Sequence, residues 1–171
     1  MDSAATLRHP LTVVSPLNVS RAGEVESVSA VFREVLAALP YYNDRAKAGE
    51  LQKYSPQKLA ASALADSDSV LIARIGQDLA GFVFNHEDDG MVWLSWFGVV
   101  AKYRGRGVGG ALLSALDRRA KTAGCHKVWC DSRTNNEESK AILSRHGYVQ
   151  LCCLHDHWYR QDFILWEKRV A

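Results

Sequence analysis

A glycine-rich segment between a strand-like and a helix-like stretch constrains the fold of this chain most. Four glycines lie within six residues: Gly105, Gly107, Gly109 and Gly110. They follow the apolar residues 91–100, and the apolar residues after them recur at helical spacing: Val108, Leu112, Ala115 and Leu116. The first turn of a helix offers unpaired N–H groups and the positive end of the helix dipole, and glycine lets an anion come close. The segment therefore predicts a diphosphate site, to which Arg104 and Arg106 add positive charge.

The segments before this loop predict two helices and an antiparallel meander. An apolar stripe over residues 25–39 indicates an amphipathic helix with Ser20 as its N-cap and Pro40 as its end. Ser55 followed by Pro56 predicts the start of a second helix, to about Ala65. A first strand precedes the helices and three strands with tight turns follow them: residues 11–14, 69–75, 79–85 and 91–100.

The segments after the loop predict a crossover and two final strands. The helix that begins in the glycine-rich segment ends at Gly124, and residues 128–130 form a strand parallel to residues 91–100 because a helix connects the two. A short helix over 136–146 and strands over 148–154 and 163–169 complete the order. The pattern predicts an α+β fold with a mixed, mainly antiparallel β-sheet and helices on both faces.

Length, composition and charge exclude several classes of protein. The 171 residues suit a single domain, 1–171. With 47% hydrophobic residues and a formal net charge of +2, the chain has no field that favours nucleic acid or a membrane, and no apolar run of membrane-spanning length. Residues 1–10 lack the apolar stretch of a secretory signal, which favours the cytoplasm.

The four cysteines predict neither a disulfide framework nor a metal site. They are Cys125, Cys130, Cys152 and Cys153, with no Cys-x-x-Cys pair among them. Reduced, mostly buried thiols are the interpretation that fits this pattern. A zinc site from these cysteines with His155 and His157 would need a ligand spacing that no usual structural site has, so no metal is expected.

The glycine-rich segment resembles the signature of the GNAT superfamily of acetyltransferases. That signature is Arg or Gln, two residues, Gly, one residue, then Gly or Ala, and here Arg104, Gly107 and Gly109 occupy those places. The resemblance covers residues 11–170 and is strongest over 97–148. It implies a GNAT-like fold, acetyl-CoA as cosubstrate, and transfer of the acetyl group to an amine by direct attack in a ternary complex.

The resemblance also implies which residues hold acetyl-CoA. The loop that would grip the pyrophosphate consists of Arg104, Gly105, Arg106, Gly107, Val108, Gly109 and Gly110. The backbone amides that would bind the pantetheine arm belong to Phe97, Gly98, Val99 and Val100, with the amide of Val99 as the donor to the thioester oxygen. Asn136, eleven residues before Gly147, would contact the arm from the next helix.

One departure from the family pattern bears on catalysis. The family commonly has a tyrosine on the helix after Asn136 that protonates the leaving thiolate, and Leu143 stands in that position here. Solvent or a group such as Ser144 would then supply the proton. A second class of function also stays open, a non-catalytic acyl-CoA sensor or partner module.

The glycines match a second fingerprint as well. Gly105, Gly107 and Gly110 have the spacing of a dinucleotide-binding loop, and Asp131 mimics its acidic residue. Four residues separate the preceding strand from this loop, an antiparallel meander precedes it, and about 40 residues remain after Asp131. These three features argue against a nicotinamide site.

Candidate general bases for the acceptor amine lie in two segments. Glu87, next to His86, belongs to an acidic turn between two strands of the meander. His157 belongs to a polar and aromatic connection between the last strands, and histidine titrates near neutrality. Tyr41 and Tyr42 are candidates for an aromatic acceptor wall. A protein α-amine, a lysine side chain, a polyamine and an amine drug all remain open as acceptors, and so does a homodimer.

Overall fold

The computed structural model describes residues 11–170. Residues 1–10, on which the expectation about an export signal rests, and residue 171 lie outside the described part. Five α-helices are present there: α1 (Glu24–Ala37), α2 (Asp44–Lys53), α3 (Pro56–Ala65), α4 (Val108–Thr122) and α5 (Glu137–Arg145). The seven strands are β1 (Thr12–Pro16), β2 (Val70–Ile75), β3 (Asp78–Asp88), β4 (Met91–Val99), β5 (Lys127–Arg133), β6 (Val149–Leu154) and β7 (Phe163–Arg169).

The strands form one mixed sheet in the order β1-β2-β3-β4-β5-β7-β6. Neighbouring strands run antiparallel except β4 and β5, which run parallel because α4 crosses between them. Side chains alternate between the two faces of the sheet, so that Val83 packs with α4 while Phe82 and Phe84 pack with α1 and α3. The predicted α+β class, the mainly antiparallel sheet and the helices on both faces are confirmed.

Helix α2 and the start of α1 differ from the sequence prediction. Only Ala46 is buried along α2, so the helix carries no apolar stripe and its sequence pattern was that of a loop. Its first turn is held by Asn43, whose side-chain oxygen accepts from the Ala46 N–H at 2.8 Å. Helix α1 begins at Glu24 with Gly23 as N-cap, because Asn18 binds the Ser20 N–H and starts a turn there.

Strands β4 and β5 separate in the middle of the sheet. They pair over four residue pairs, from Met91 with Lys127 to Leu94 with Cys130. Ser95 is an extra residue in β4, since Leu94 and Trp96 pair with adjacent residues of β3. Beyond this bulge β4 continues beside β3, and β5 continues beside β7 alone. A wedge-shaped cleft therefore opens between residues 95–99 and residues 131–133.

None of the helices among residues 11–170 is both long and apolar enough to cross a membrane.

Candidate active site

The cleft between β4 and β5 widens into a cavity of about 590 Å³. Its walls come from both diverging strands, the start of α4, the inner face of α5 and the segment between α1 and α2. Of the residues that the sequence assigned to acetyl-CoA, these line the cavity: Phe97, Gly98, Val99, Arg104, Gly105, Gly107, Val108, Gly109, Gly110 and Asn136. The structure thus brings together all of them except Val100 and Arg106.

Backbone direction decides which amides of β4 face the cleft. The Val100 N–H donates to the Ala80 carbonyl of β3 at 2.9 Å. Because successive N–H groups of a strand point to opposite sides, the Gly98 N–H also points to β3, whereas those of Phe97 and Val99 point into the cleft. Val99 therefore offers a donor to a ligand between the strands, and the N–H of Val100 is already engaged.

The start of α4 supplies a second group of donors. Gly107 is its N-cap, in the left-handed region at φ 80°, and no side chain in the described part of the protein caps the helix. The Ala111 N–H donates to the Gly107 carbonyl at 3.0 Å and begins the helical ladder. The N–H groups of Val108, Gly109 and Gly110 precede that bond and have no helical carbonyl to bind. They face the same cavity as Val99 and carry the positive end of the helix dipole.

The basic residues of the loop occupy different places. Arg104 lies between β4 and α5, with Nη1 3.4 Å from Glu138 Oε2 and Nε 3.5 Å from the Val99 carbonyl. The Arg106 guanidinium lies 5.8 Å from the centre of the Tyr103 ring, outside the cavity lining. Arg104 is therefore the cation of this loop that faces the cavity.

Two glycines of α4 lie close to side chains of α5 and of its C-cap. A Cβ on Gly109 would lie 2.6 Å from Cδ1 of Ile142, and one on Gly110 would lie 3.1 Å from Nε2 of His146. A larger residue at either position would force the end of the Ile142 side chain or the His146 ring to shift. The sequence motif alone did not reveal this contact, because it depends on where α5 docks.

Helix α5 presents a cap and an apolar side chain to the cavity. The Asn136 side-chain oxygen accepts from the Ser139 N–H at 3.1 Å and caps the helix. Leu143 lines the cavity and is 2% exposed, so the position of the family's usual proton donor is filled by hydrocarbon. Ser144 is exposed and lies outside the lining.

Asp131 is a cavity residue that sequence reasoning considered only as part of a dinucleotide fingerprint. It follows the last residue of β5 that pairs with β4, and burial raises the pKa of its carboxyl group. The Trp158 Nε1–H donates to Asp131 Oδ2 at 3.0 Å, and this bond together with the nearby His157 opposes part of that rise. A charged residue within an otherwise largely buried strand was the signal available in the sequence.

The two sequence candidates for a base lie outside the lining. Glu87 is exposed at the turn end of β3, where it pairs with Val92, and Val92 precedes Val99 by seven residues, about 23 Å of strand. His157 is exposed beside the mouth of the cavity, with its ring centre 4.5 Å from that of Trp158 and 6.0 Å from that of Phe163. His157 therefore lies next to Trp158, which donates a hydrogen bond to Asp131, whereas Glu87 is remote from the cleft.

The connection between β6 and β7 lies over the mouth of the cavity. Gln161 Nε2 donates to the Tyr41 carbonyl at 3.2 Å, and the Tyr159 hydroxyl lies against Gly49 of α2. Tyr159 and Arg160 have φ values of 54° and 57°, a backbone conformation that is strained in residues other than glycine. The connection is therefore held in an unfavourable backbone geometry by its contacts with the segment that follows α1.

A group of three possible metal ligands lies at the end of the β6–β7 hairpin. Ligand atoms of Cys153, His155 and Asp162 lie within 4.8 Å of one another, with His155 Nδ1 3.2 Å from Asp162 Oδ2. His157, which the sequence placed with His155 in a candidate zinc set, is not part of this group. The contact between His155 and Asp162 is explained as an exposed hydrogen bond, and we assign no metal to it.

The comparisons with known proteins identify the relatives of this chain. The model of the "Acetyltransferase (GNAT) family" matches residues 32–148. An acetyltransferase of Pectobacterium atrosepticum is 27% identical over 89 residues, and the match spans 52% of this chain and 63% of that relative's length.

Two solved structures have the same fold. The PaiA N-acetyltransferase of Thermoplasma acidophilum in complex with coenzyme A superposes with a TM-score of 0.76 at 18% identity, over 93% of this chain and 99% of that one. The ribosomal-protein-S18-alanine N-acetyltransferase of Escherichia coli gives a TM-score of 0.69 at 15% identity, over 94% and 95%.

Proposed function

Because the chain belongs to the acetyltransferase (GNAT) family, we propose that it moves the acetyl group of acetyl-CoA onto a primary amine. One observation carries the proposal: the uncapped start of α4 and the free N–H of Val99 face one cavity, which opens where β4 and β5 separate. A ligand with a diphosphate at one end and a thioester further along would engage both groups. The solved complex of PaiA with coenzyme A supports acetyl-CoA as this ligand.

The residues of the cavity suit the cosubstrate. The N–H groups of Val108, Gly109 and Gly110 would bind the pyrophosphate, helped by Arg104. The amides of Phe97 and Val99 form the unpaired side of β4, to which the amide-bearing pantetheine arm would add like a short strand. Asn136 would contact the arm from the opposite wall.

The reaction follows as direct transfer between two bound substrates. The lone pair of the amine attacks the thioester carbonyl carbon, which forms the C–N bond, and the Val99 N–H stabilises the negative charge that develops on the oxygen. The C–S bond then breaks and the sulfur leaves with the bonding electrons. The nitrogen loses a proton to a base, and the thiolate takes up a proton. Most of the acceleration comes from positioning and from the oxyanion donor.

Asp131 is the base that the geometry supports best. A lysine-type amine has a pKa near 10.4 and is protonated at neutral pH, so a proton acceptor in the cavity speeds the attack. Burial raises the pKa of the Asp131 carboxyl group and makes it a stronger base. His157, the candidate that the sequence predicted, would act beside it by relaying the proton to solvent. Glu87 stays a sequence prediction and has no place in the cavity.

Leu143 favours a second function of a different class. Without a proton donor at that position, the chain could bind acyl-CoA and act as a sensor or partner module. Catalysis does not require the donor, however, because a thiol has a pKa near 8.5 and its thiolate is a competent leaving group. Turnover decides between the two functions.

The test begins with cosubstrate binding. Acetyl-CoA at a hundred times its Kd is expected to stabilise the protein by about 2.7 kcal/mol, with NAD as the parallel control. Gly107→Glu, which puts a carboxylate at the start of α4, and Arg104→Ala are expected to weaken the shift. No stabilisation by acetyl-CoA would exclude the proposed site.

The second step is an amine panel with release of free coenzyme A as the signal. Turnover of any amine supports the transferase. Tight acetyl-CoA binding without turnover across protein N-terminal peptides, lysine, polyamines, amino acids and amine drugs supports the sensor.

A further inference from the structure

Arg133 is a buried cation without a hydrogen-bond or carboxylate partner among residues 11–170. It is the last residue of β5, it is 3% exposed, and it lines the cavity. Its three side-chain nitrogens make no hydrogen bond, and no carboxylate among residues 11–170 forms a salt bridge with it. A buried guanidinium in this state is unfavourable unless a ligand supplies the acceptor atoms.

Two aromatic rings lie next to this guanidinium. Its central carbon lies 3.8 Å from the centre of the Tyr42 ring and 5.0 Å from that of the Phe163 ring. Cation–π contacts of this kind stabilise the position of the group and leave its N–H donors to bind something else. A planar fork of donors held in this way matches the two oxygens of a carboxylate.

The charges around Arg133 define what its ligand must carry. The nearest ionisable group on its own strand is Asp131, which lies two residues earlier, on the same side of β5 and about 7 Å away. The Asp131 carboxylate accepts from Trp158 and does not bind Arg133. From the facing elements come Tyr41 and Tyr42, whose hydroxyl pKa values burial raises, so neither supplies a negative charge at neutral pH.

We propose that Arg133 binds a carboxylate of the acceptor, so that the acceptor is a small zwitterion of the amino-acid class. The inference rests on the proposed acetyl transfer and names the substrate class of that site. The acceptor carboxylate forms a bidentate pair with the Arg133 guanidinium, while its ammonium group lies towards Asp131 and loses a proton there. Strand β5 thus presents a cation for the carboxylate and an anion for the ammonium group of an amino acid.

The walls around Arg133 favour a small acceptor over a long chain. The β6–β7 connection bonds to the Tyr41 carbonyl through Gln161 and packs on Gly49 through Tyr159. These contacts bridge the β6–β7 connection and the segment after α1 on the side of the cavity that Tyr42 and Arg133 line, and so limit the room for an extended peptide there. A free amino acid needs no such exit, and its carboxylate supplies the charge that Arg133 lacks.

The experiment compares matched acceptors. Each of the twenty L-amino acids is paired with its carboxamide, and kcat/KM is corrected for the fraction of unprotonated amine. For the best acceptor, the acid is expected to exceed the amide by about tenfold to a hundredfold, as expected for charge-assisted hydrogen bonds. Turnover in which every amide equals or exceeds its acid would overturn the proposal while leaving the transferase intact.

Two variants distinguish a role of Arg133 in acceptor binding from a role in cosubstrate binding. Arg133→Met is expected to reduce kcat/KM for the acid by the same factor, to change that for the amide less than threefold, and to leave the Kd of acetyl-CoA within twofold. Arg133→Lys retains the charge but lacks the planar set of donors, so its kcat/KM for the acid is expected to lie between those of the native protein and Arg133→Met. This variant also tests the proposal if Arg133→Met does not fold. A loss of acetyl-CoA binding that matches the loss of turnover would assign Arg133 to the cosubstrate and overturn the proposal.

A binding measurement keeps the inference independent of turnover. The amino acids and their amides are titrated into the complex with coenzyme A, with heat or intrinsic fluorescence as the signal. Binding of an acid that needs Arg133, without any turnover, would support the carboxylate site and contradict the proposed transfer. Equal binding of acid and amide by the native protein would contradict the carboxylate site.

Discussion

Trp158 Nε1 lies 3.0 Å from Oδ2 of Asp131, so an exposed indole from the β6–β7 connection donates to a half-buried carboxylate near the end of β5. The bond stabilises the charged form of the carboxylate against the burial that disfavours it. It also links the base of the proposed reaction to the connection that covers the cavity. The protonation of Asp131 and the position of this connection are therefore coupled.

The first prediction concerns the pH dependence of this pair. Burial raises the pKa of Asp131, and the Trp158 N–H lowers it, so Trp158→Phe raises it further. The base is active when deprotonated, and activity is lost as pH falls through its pKa. The acid limb of kcat/KM is therefore expected to move to higher pH in Trp158→Phe, with the plateau at high pH unchanged. Asp131→Asn is expected to lower the plateau itself, by about a hundredfold or more.

His157→Gln provides the comparison for that profile. The nearby histidine also lowers the pKa of Asp131, so its removal is expected to move the acid limb in the same direction by a smaller amount. An acid limb that stays in place in both variants would exclude Asp131 as the titrating group.

The second prediction concerns the contact between α4 and α5. Gly109→Ala places a methyl group 2.6 Å from Ile142 Cδ1, so the end of that side chain must shift, and the Kd of acetyl-CoA is expected to rise severalfold. Ile142→Val removes that atom, and the double variant is expected to recover most of the affinity. Isothermal titration of the four proteins gives the coupling energy, and additive effects would contradict the packing explanation.

The third prediction concerns the proton of the leaving thiolate. Leu143→Tyr restores a hydroxyl where the family commonly has one, and it is expected to increase kcat severalfold if protonation of sulfur limits the rate. Leu143→Phe adds the ring without the hydroxyl and is the matched control, since both rings overpack a buried site. An equal fall in kcat for both variants would show that this position acts through packing alone.

The fourth prediction concerns the cover of the cavity. A methyl group on Gly49 overlaps the Tyr159 hydroxyl, so Gly49→Ala is expected to displace the β6–β7 connection and raise the acceptor KM severalfold. The Kd of acetyl-CoA is expected to stay unchanged, because the contact lies on the acceptor side. Tyr159→Phe removes the overlapping oxygen, and the double variant is expected to recover a KM near the native value. Failure of this rescue would exclude the connection as an acceptor wall.

The parts of the fold that the sequence predicted are those whose signals are local. The glycines and the apolar periodicity placed β4, the loop and α4 because each feature depends on residues a few positions apart. Helix α2 was missed because a helix with one buried residue leaves no stripe. Asp131 and Arg133 were missed for a different reason. Charged residues in a largely buried strand were a signal within β5, but their exposure to a cavity depends on the bulge at Ser95 in another strand.

The parallel pairing of β4 with β5 is the shortest strand pairing in the sheet. Only four residue pairs join the block β1–β4 to the block β5–β7–β6, whereas the antiparallel neighbours inside each block share five or more. A cosubstrate arm in the cleft would bond to the free edge of one block and touch the other through α5. Ligand binding would then join the two blocks, which otherwise fluctuate relative to each other. Amide hydrogen exchange along the β4–β5 pairing would slow more than anywhere else in the sheet.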